Sequence, residues 1–257
     1  MSKISEAFAN EKALVAFITA GDPSLKNTKE LISAIQESGA DLILLGLPFT
    51  DKKVEGEAIL AANERSLLAG TTIDGVFNLL KAMKDEIKVP IVLMTYADSI
   101  NTYGQDHFMH RCIECGIPGV LIPDLPYEES TLTRCMKQYG IERISVITPS
   151  SREEIQRIAK DAEGFIYCAP DMEVAKLSKD MTADIDGMVA LIRGVTEIPC
   201  AIGFGIVGLD QAKTMAAKAD GLIVGSTIIK MVADQGENSV EFIKSYVRSM
   251  KSAVIKA

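Results

Sequence analysis

The sequence predicts an α/β protein built as a single (β/α)8 barrel, the TIM-barrel architecture. Eight short apolar segments rich in branched residues alternate with longer segments of helical periodicity along the 257 residues. The segments predicted as strands are almost continuously apolar, which is typical of a parallel sheet covered by helices. Eight such units in about 250 residues match a closed barrel. An open doubly wound sheet is the alternative, and the even spacing of the eight units favours the barrel.

The eight predicted strands are each bounded by turn residues or by a helical pattern. In chain order they cover 13–21, 41–47, 90–96, 119–124, 143–148, 164–169, 199–205 and 221–226. Helical segments connect the strands. In one of them, Leu31, Ile32 and Ile35 share an apolar face, and Gly39 is a typical residue at which such a helix ends. In another, Ser151 is a typical N-cap for the helix that follows it. Extra helices are expected before the first strand, and two between the second and third strands.

Composition and charge narrow the classes of function. Hydrophobic residues make up 47% of the chain and the net charge is −8 without any basic run, which argues against nucleic acid as a partner. Nothing approaches the roughly 18 uninterrupted apolar residues of a membrane helix, and the first residues lack an apolar signal core. With no linker or break in composition, we expect one cytoplasmic domain spanning residues 1–257.

The cysteines are odd in number, which favours free thiols in a reducing compartment over a disulfide framework. The five are Cys112, Cys115, Cys135, Cys168 and Cys200. Cys112 and Cys115 form a C-x-x-C, but there is no second such pair, and the only histidines, His107 and His110, lie beside it. We therefore interpret the pair as thiols on one turn of a helix and predict no metal site.

Glycines follow the last two predicted strands, at the barrel end where active sites lie. The segment "GFGIVG" runs from Gly203 to Gly208, and Gly225 and Ser226 follow strand eight. Backbone N–H groups in such loops bind phosphate, so a phosphate monoester site is favoured. The G-x-G-x-x-G spacing also matches a dinucleotide fingerprint, but that motif belongs on a first strand. Turns that merely pack tightly are a further alternative.

Three other polar or aromatic residues lie at predicted strand ends. Asp124 ends the fourth strand, where it is either a catalytic base or a carboxylate that holds a neighbouring loop by hydrogen bonds. Tyr96 and Tyr167 either line a pocket for a flat apolar ligand or pack in the core with a bonded hydroxyl. These alternatives stay open at the level of sequence.

Seven motifs in order, "FITAGDPS", "GLPFTD", "TYADSINTYG", "GVLIPDLPYEES", "GFIYC", "IGFGI" and "VGSTIIK", resemble the α subunit of tryptophan synthase over almost the whole chain. The resemblance implies a (β/α)8 barrel that cleaves indole-3-glycerol phosphate to indole and glyceraldehyde 3-phosphate by a retro-aldol reaction. It implies no cofactor of its own. Pyridoxal phosphate would belong to a β-subunit partner, which receives the indole.

The resemblance also assigns roles to individual residues. It implies phosphate contacts at Gly203, Phe204, Gly205, Gly225 and Ser226. It implies an indole pocket lined by Phe17, Tyr96, Leu121 and Tyr167. Asp124 matches a carboxylate at the end of strand four, and the partner-facing positions are Asp51, Lys52 and Asp98.

The chain departs from the family pattern at its catalytic positions. The family's second strand reads like "ELGIPFSDP", whose glutamate is the principal acid/base, and Leu44 occupies that place here. The second family carboxylate, an aspartate, is replaced by Glu55, and Lys52 replaces a proline. A "GVTG" lid after strand six is replaced by a stretch with Ala175 and Lys176. Leucine cannot transfer a proton, and general acid–base catalysis contributes roughly 10²–10⁴-fold.

Three hypotheses follow. The chain is a relative with strongly impaired or lost lyase activity that still binds a phosphorylated, indole-like ligand. Alternatively, it is a non-catalytic module that regulates a β subunit. In the third hypothesis, new polar groups such as Lys53 and Asp171 support a different reaction on another phosphorylated substrate, although solvated loop charges are the simpler and favoured explanation.

Overall fold

The structure, a computed structural model, describes residues 2–49, 56–128, 130–169, 179–203 and 208–257, with side chains described from 185 onward in the fourth range. Within these residues eight parallel strands pair in chain order, and the eighth pairs with the first to close the barrel. The predicted (β/α)8 barrel is therefore confirmed, and the open doubly wound sheet is excluded.

Each predicted strand is present, and all but the fifth are shorter than the predicted segment. The fifth strand has the predicted length and begins one residue earlier. The strands are β1 (Ala13–Thr19), β2 (Leu42–Gly46), β3 (Ile91–Met94), β4 (Gly119–Leu121), β5 (Glu142–Ile147), β6 (Ile166–Cys168), β7 (Cys200–Gly203) and β8 (Gly221–Val224).

The helices surround the barrel and include the extra elements expected from the sequence. They are α1 (Lys3–Glu6), α2 (Leu25–Glu37), α3 (Glu57–Leu68), α4 (Ile73–Met83), α5 (Ala97–Tyr103), α6 (Gln105–Cys115), α7 (Thr131–Tyr139), α8 (Arg152–Lys160), α9 (Lys179–Arg193), α10 (Leu209–Ala216), α11 (Ser226–Gln235) and α12 (Val240–Ile255), with a 3-10 turn at Gly236–Ser239. Helix α1 precedes β1, and α3 and α4 lie between β2 and β3. Ser151 caps α8 as predicted, accepting a hydrogen bond from the Glu154 N–H.

Residues along each strand alternate between two apolar layers. Val15 and Phe17 of β1 face the barrel interior with Leu44, whereas Leu14 and Ile18 pack outward among the residues that lie under the helices. Phe17 pairs with Leu44 in the β1–β2 register, so the two side chains lie at the same height in the barrel. The alternation fixes which residues can line a site, because only the inward set reaches the mouth.

Helix α1 closes the amino-terminal end of the barrel. Ile4 is fully buried in the interior cluster, and the ring of Phe8 stacks on Phe165 with centroids 5.5 Å apart. The Ser5 hydroxyl donates to the Gly164 carbonyl at 3.0 Å. This end of the barrel is filled by the chain's own side chains, so a ligand site is expected at the opposite end.

Candidate functional site

Aromatic and aliphatic side chains meet inside the carboxyl-terminal half of the barrel. Phe17, Leu44 and Leu121 belong to one buried interior cluster, and Tyr167 packs against it. Leu44, the position of the missing acid/base, is 1% exposed. The structure thus brings together three of the four residues predicted for the indole pocket, and it places Leu44 beside them.

Tyr96, the fourth predicted pocket residue, lies after β3 as the N-cap residue of α5. Its ring is 8% exposed and contacts Phe49, with the ring centroids 4.4 Å apart. Phe49 follows β2, so the two rings join the rims of neighbouring strands. The position at the mouth agrees with the prediction.

Two aromatic rings lie directly on glycines of the rim. A Cβ added at Gly225 would lie 3.1 Å from the Phe17 ring, and one at Gly46 would lie 3.0 Å from it. A Cβ at Gly203 would lie 2.5 Å from the Tyr167 ring, whose hydroxyl donates to the Gly203 carbonyl at 3.2 Å. Tight packing therefore accounts for these glycines, and the predicted phosphate contacts remain predictions.

Helix α11 begins at the carboxyl end of β8. Gly225 is its N-cap residue and Ser226 its first residue. The first N–H groups of a helix lack intrahelical acceptors and favour an anion. The arrangement suits the phosphate contact predicted at Gly225 and Ser226, while Phe204 and Gly205 lie outside the described residues.

Asp124 holds a neighbouring loop. Its Oδ1 accepts a hydrogen bond from the Ala97 N–H at 3.0 Å, at the start of α5. The side chain is exposed, as is Asp98 in the first turn of the same helix. Of the two interpretations of Asp124, the geometry supports the structural one, since its carboxylate stabilises the loop between β3 and α5.

Sequence reasoning missed an ion pair at the end of β1. Asp22 is 2% exposed and binds the Arg65 guanidinium of α3 through two hydrogen bonds, each 2.7 Å long. Hydrogen bonding to Asp22 raises the pKa of Arg65. The Ser66 hydroxyl donates to the Ala20 carbonyl at 2.6 Å. Together these contacts fix α3 against the mouth. The sequence signal was weak, because the two partners are 43 residues apart.

The remaining predicted site residues, Asp51, Lys52 and Glu55, lie outside the described residues, as do Ala175 and Lys176.

The prediction of free thiols is confirmed, since all five cysteines are buried and unpaired, and Cys112 and Cys115 lie on α6. Burial raises the pKa of the Cys112 thiol. His107 and His110 are exposed on the same helix.

Two further searches cover only the described part of the chain. It contains no group of three or more histidine, cysteine or acidic side chains arranged to hold a metal ion. None of its helices is long and apolar enough to cross a membrane.

Comparison with known proteins identifies the family. Residues 4–255 match the family described as tryptophan synthase alpha chain. The chain is similar to the tryptophan synthase alpha chain of Lacticaseibacillus casei, with 38% identity over 99% of this chain and 96% of that one, and to that of Petrotoga mobilis, with 39% identity over 98% of both. The crystal structure of tryptophan synthase subunit alpha from Legionella pneumophila superimposes with a TM-score of 0.90 at 29% identity, covering 100% of both chains. The chain therefore belongs to the tryptophan synthase alpha chain family.

Proposed function

We propose that this protein binds a phosphorylated, indole-like ligand, as the family resemblance implies, and that its retro-aldol cleavage of indole-3-glycerol phosphate is strongly reduced or lost. The observation that carries the proposal is Leu44, which stands on β2 where the family resemblance places the acid/base glutamate. It is 1% exposed and directed into the barrel.

Among the described residues, the strand neighbours of Leu44 are apolar. In the strand register its neighbours are Phe17 on β1 and Val92 on β3. Leu44 packs in the interior with Phe17, Val92 and Leu121. Proton transfer to the indole ring would lack its principal acid, a loss of roughly 10²–10⁴-fold.

Binding is better supported than catalysis. Phe17, Leu121 and Tyr167 supply apolar walls suited to a planar aromatic group. The N-terminus of α11 at Ser226 supplies backbone donors suited to a phosphate. The ligand class that fits this arrangement is a neutral aromatic group joined by a short linker to a phosphate monoester.

No cofactor of this chain's own is part of the proposal. Pyridoxal phosphate would belong to a tryptophan synthase β subunit, and the exposed Asp98 in α5 is the described residue expected to face such a partner. Titration calorimetry with a purified β subunit measures the association directly. An absence of binding would remove this partner from the proposal.

The test of the catalytic proposal is a lyase assay on indole-3-glycerol phosphate with the wild-type chain, Leu44→Glu and Leu44→Gln. We expect turnover by the wild type near background and an increase of at least about tenfold in Leu44→Glu. Burial raises the pKa of a carboxyl, so a glutamate at this position would hold a proton to donate. Glutamine has nearly the same shape but cannot donate a proton from a carboxyl group, so it serves as the matched control.

Efficient turnover by the wild-type chain contradicts the proposal directly. Equal activity of the glutamate and glutamine variants would show that shape rather than proton transfer limits the reaction. Circular dichroism on all three proteins checks that each variant keeps the fold.

A further inference from the structure

Several buried polar side chains at the carboxyl end of the barrel have hydrogen-bonding atoms without a partner among the described residues, and two of them, Thr19 and Asn63, lie on β1 and α3. Thr19 is 3% exposed and Asn63 is 4% exposed. In the part of the chain that the structure describes, the Thr19 Oγ1 and the Asn63 Nδ2 atoms have no hydrogen-bond partner. Folded proteins leave few such atoms, and each one calls for a physical explanation.

Thr19 continues the inward-facing set of β1. It is the last residue of that strand, two positions beyond Phe17 and four beyond Val15, both of which face the interior. Its register partner on β2 is Gly46, which has no side chain. Thr19 therefore lies one step nearer the mouth than Phe17 and Leu44.

Asn63 lies on the face of α3 that meets the end of β1. Ala62 packs in the interior cluster, and the Ser66 hydroxyl donates to the carbonyl of Ala20, the residue after Thr19. Asn63 stands one position after Ala62 and three before Ser66, so helical geometry places all three on one side. The ion pair between Arg65 and Asp22 holds this side against the strand.

We propose that Thr19 and Asn63 together form the contact for a hydroxyl or carbonyl oxygen in the linker of the ligand. This inference rests on the proposed function and adds a determinant of specificity to it. Strand β1 lies between β8, which leads to Ser226, and β2, which carries Leu44. A ligand with its phosphate at Ser226 and its aromatic group near Leu44 therefore crosses the end of β1.

The chemistry of the pair suits a neutral oxygen. An amide nitrogen donates hydrogen bonds, and a threonine hydroxyl both donates and accepts. Neither group ionises near neutral pH, so the pair binds and orients without acting as an acid or base. Both atoms are shielded in the ligand-free chain, and rotation of the Thr19 hydroxyl and of the Asn63 amide brings them to the ligand.

The experiment measures two dissociation constants by titration calorimetry. The probes are indole-3-glycerol phosphate and indole-3-propanol phosphate, which lacks the two linker hydroxyls. We expect the wild type to bind the glycerol compound at least about tenfold more tightly, because the second probe leaves buried polar atoms unsatisfied. In Thr19→Val and in Asn63→Leu, the dissociation constants of the two probes should differ by less than about threefold. The affinity for indole-3-propanol phosphate should stay nearly unchanged, because this probe does not use the contact.

Thr95→Val is the matched control. Thr95 is 1% exposed and its Oγ1 atom also lacks a partner among the described residues. It follows β3 and continues the outward-facing set of Ile91 and Leu93, away from the proposed contact. Its variant should leave the ratio of the two constants unchanged.

Thermal unfolding separates ligand recognition from a structural role. Within the described residues the Thr19 hydroxyl makes no hydrogen bond, so we expect the melting temperature of Thr19→Val to be unchanged or higher. A lower melting temperature, with both probes weakened equally, would show a structural role and overturn the inference. Equal affinity of the wild type for the two probes overturns the inference but leaves the proposed function standing, whereas binding of neither probe overturns both.

Discussion

The two ends of this barrel are built differently. At the amino-terminal end, α1 inserts Ile4 among the interior residues and stacks Phe8 on Phe165. At the carboxyl-terminal end, Phe17 and Tyr167 lie on bare glycines. The interior of one end is filled by side chains of the amino-terminal segment, and at the other end aromatic rings pack against glycines of the rim, where we propose the ligand site.

From this difference we predict that substitutions at the amino-terminal end affect stability and that substitutions at the carboxyl end affect ligand binding, as is usual in barrels of this type. The carboxyl end contains buried polar atoms that no described residue satisfies, which lowers stability, and in our proposal they supply specificity. Substitutions at the two ends should therefore separate effects on folding from effects on ligand affinity.

The largest effect is expected for Ile4→Ala at the amino-terminal end. Removing this fully buried side chain leaves a cavity and should lower the free energy of unfolding by about 3 kcal/mol. Urea denaturation measures the loss. Affinity for indole-3-propanol phosphate should stay within about twofold under native conditions, since the cavity lies at the opposite end. A large loss of affinity in this folded variant would contradict the separation of the two ends.

A smaller loss is expected for Arg65→Ala at the carboxyl end. The variant leaves the Asp22 carboxylate buried without its cation, which should cost about 2 kcal/mol, less than for a wholly buried pair because Arg65 is 32% exposed. It should also weaken ligand binding, because α3 loses its attachment to β1.

The control for this variant is Arg193→Ala. Arg193 and Asp220 form a pair in which the side chains are 54% and 37% exposed, so its loss should change the unfolding free energy by less than about 0.5 kcal/mol. Equal losses in the two arginine variants would show that the buried pair has no special role.

The smallest effect, and a stabilising one, is expected for Glu142→Gln at the amino-terminal end. Burial chiefly raises the pKa of Glu142, the Ser2 hydroxyl opposes this shift, and the charge of Glu163 adds to it. Its Oε2 atom has no hydrogen-bond partner among the described residues. Because the folded state holds this proton more tightly than the unfolded state, stability falls as pH rises from the ordinary carboxyl range through the raised pKa.

Glutamine removes that dependence, so the variant should be more stable than the wild type at neutral pH, by about 1 kcal/mol. The comparison is made by urea denaturation at pH 4 and pH 7. If the variant gains as much at pH 4 as at pH 7, ionisation of Glu142 is not the cause.

Much of this architecture was predictable because it depends on local pattern. Apolar strands alternating with amphipathic helices predicted the barrel, and each end of the eight strands lies within three residues of the predicted one. Ser151 was recognised as a helix cap from its own position. The strand limits were less accurate, because hydropathy does not show where pairing ends: the segment 119–124 contributes only Gly119–Leu121.

The site was partly predictable, through family resemblance more than through pattern. Phe17, Leu121 and Tyr167 were assigned to the pocket and do lie together. Asp124 was ambiguous until its hydrogen bond to the Ala97 N–H indicated a structural role. Thr19 and Asn63 were not predicted as site residues, because a sequence does not show whether a buried threonine or asparagine has a hydrogen-bond partner.

The sequence by itself determined the order of elements and the presence of leucine where a proton donor is expected. Those properties follow from hydrophobic periodicity and from residue identity. Only the tertiary structure decided that Asp22 pairs with Arg65, that rings lie on Gly203 and Gly225, and that Ser66 of α3 bonds to Ala20 after β1. These contacts join residues far apart in the chain, and closure of the barrel is what brings them within bonding distance.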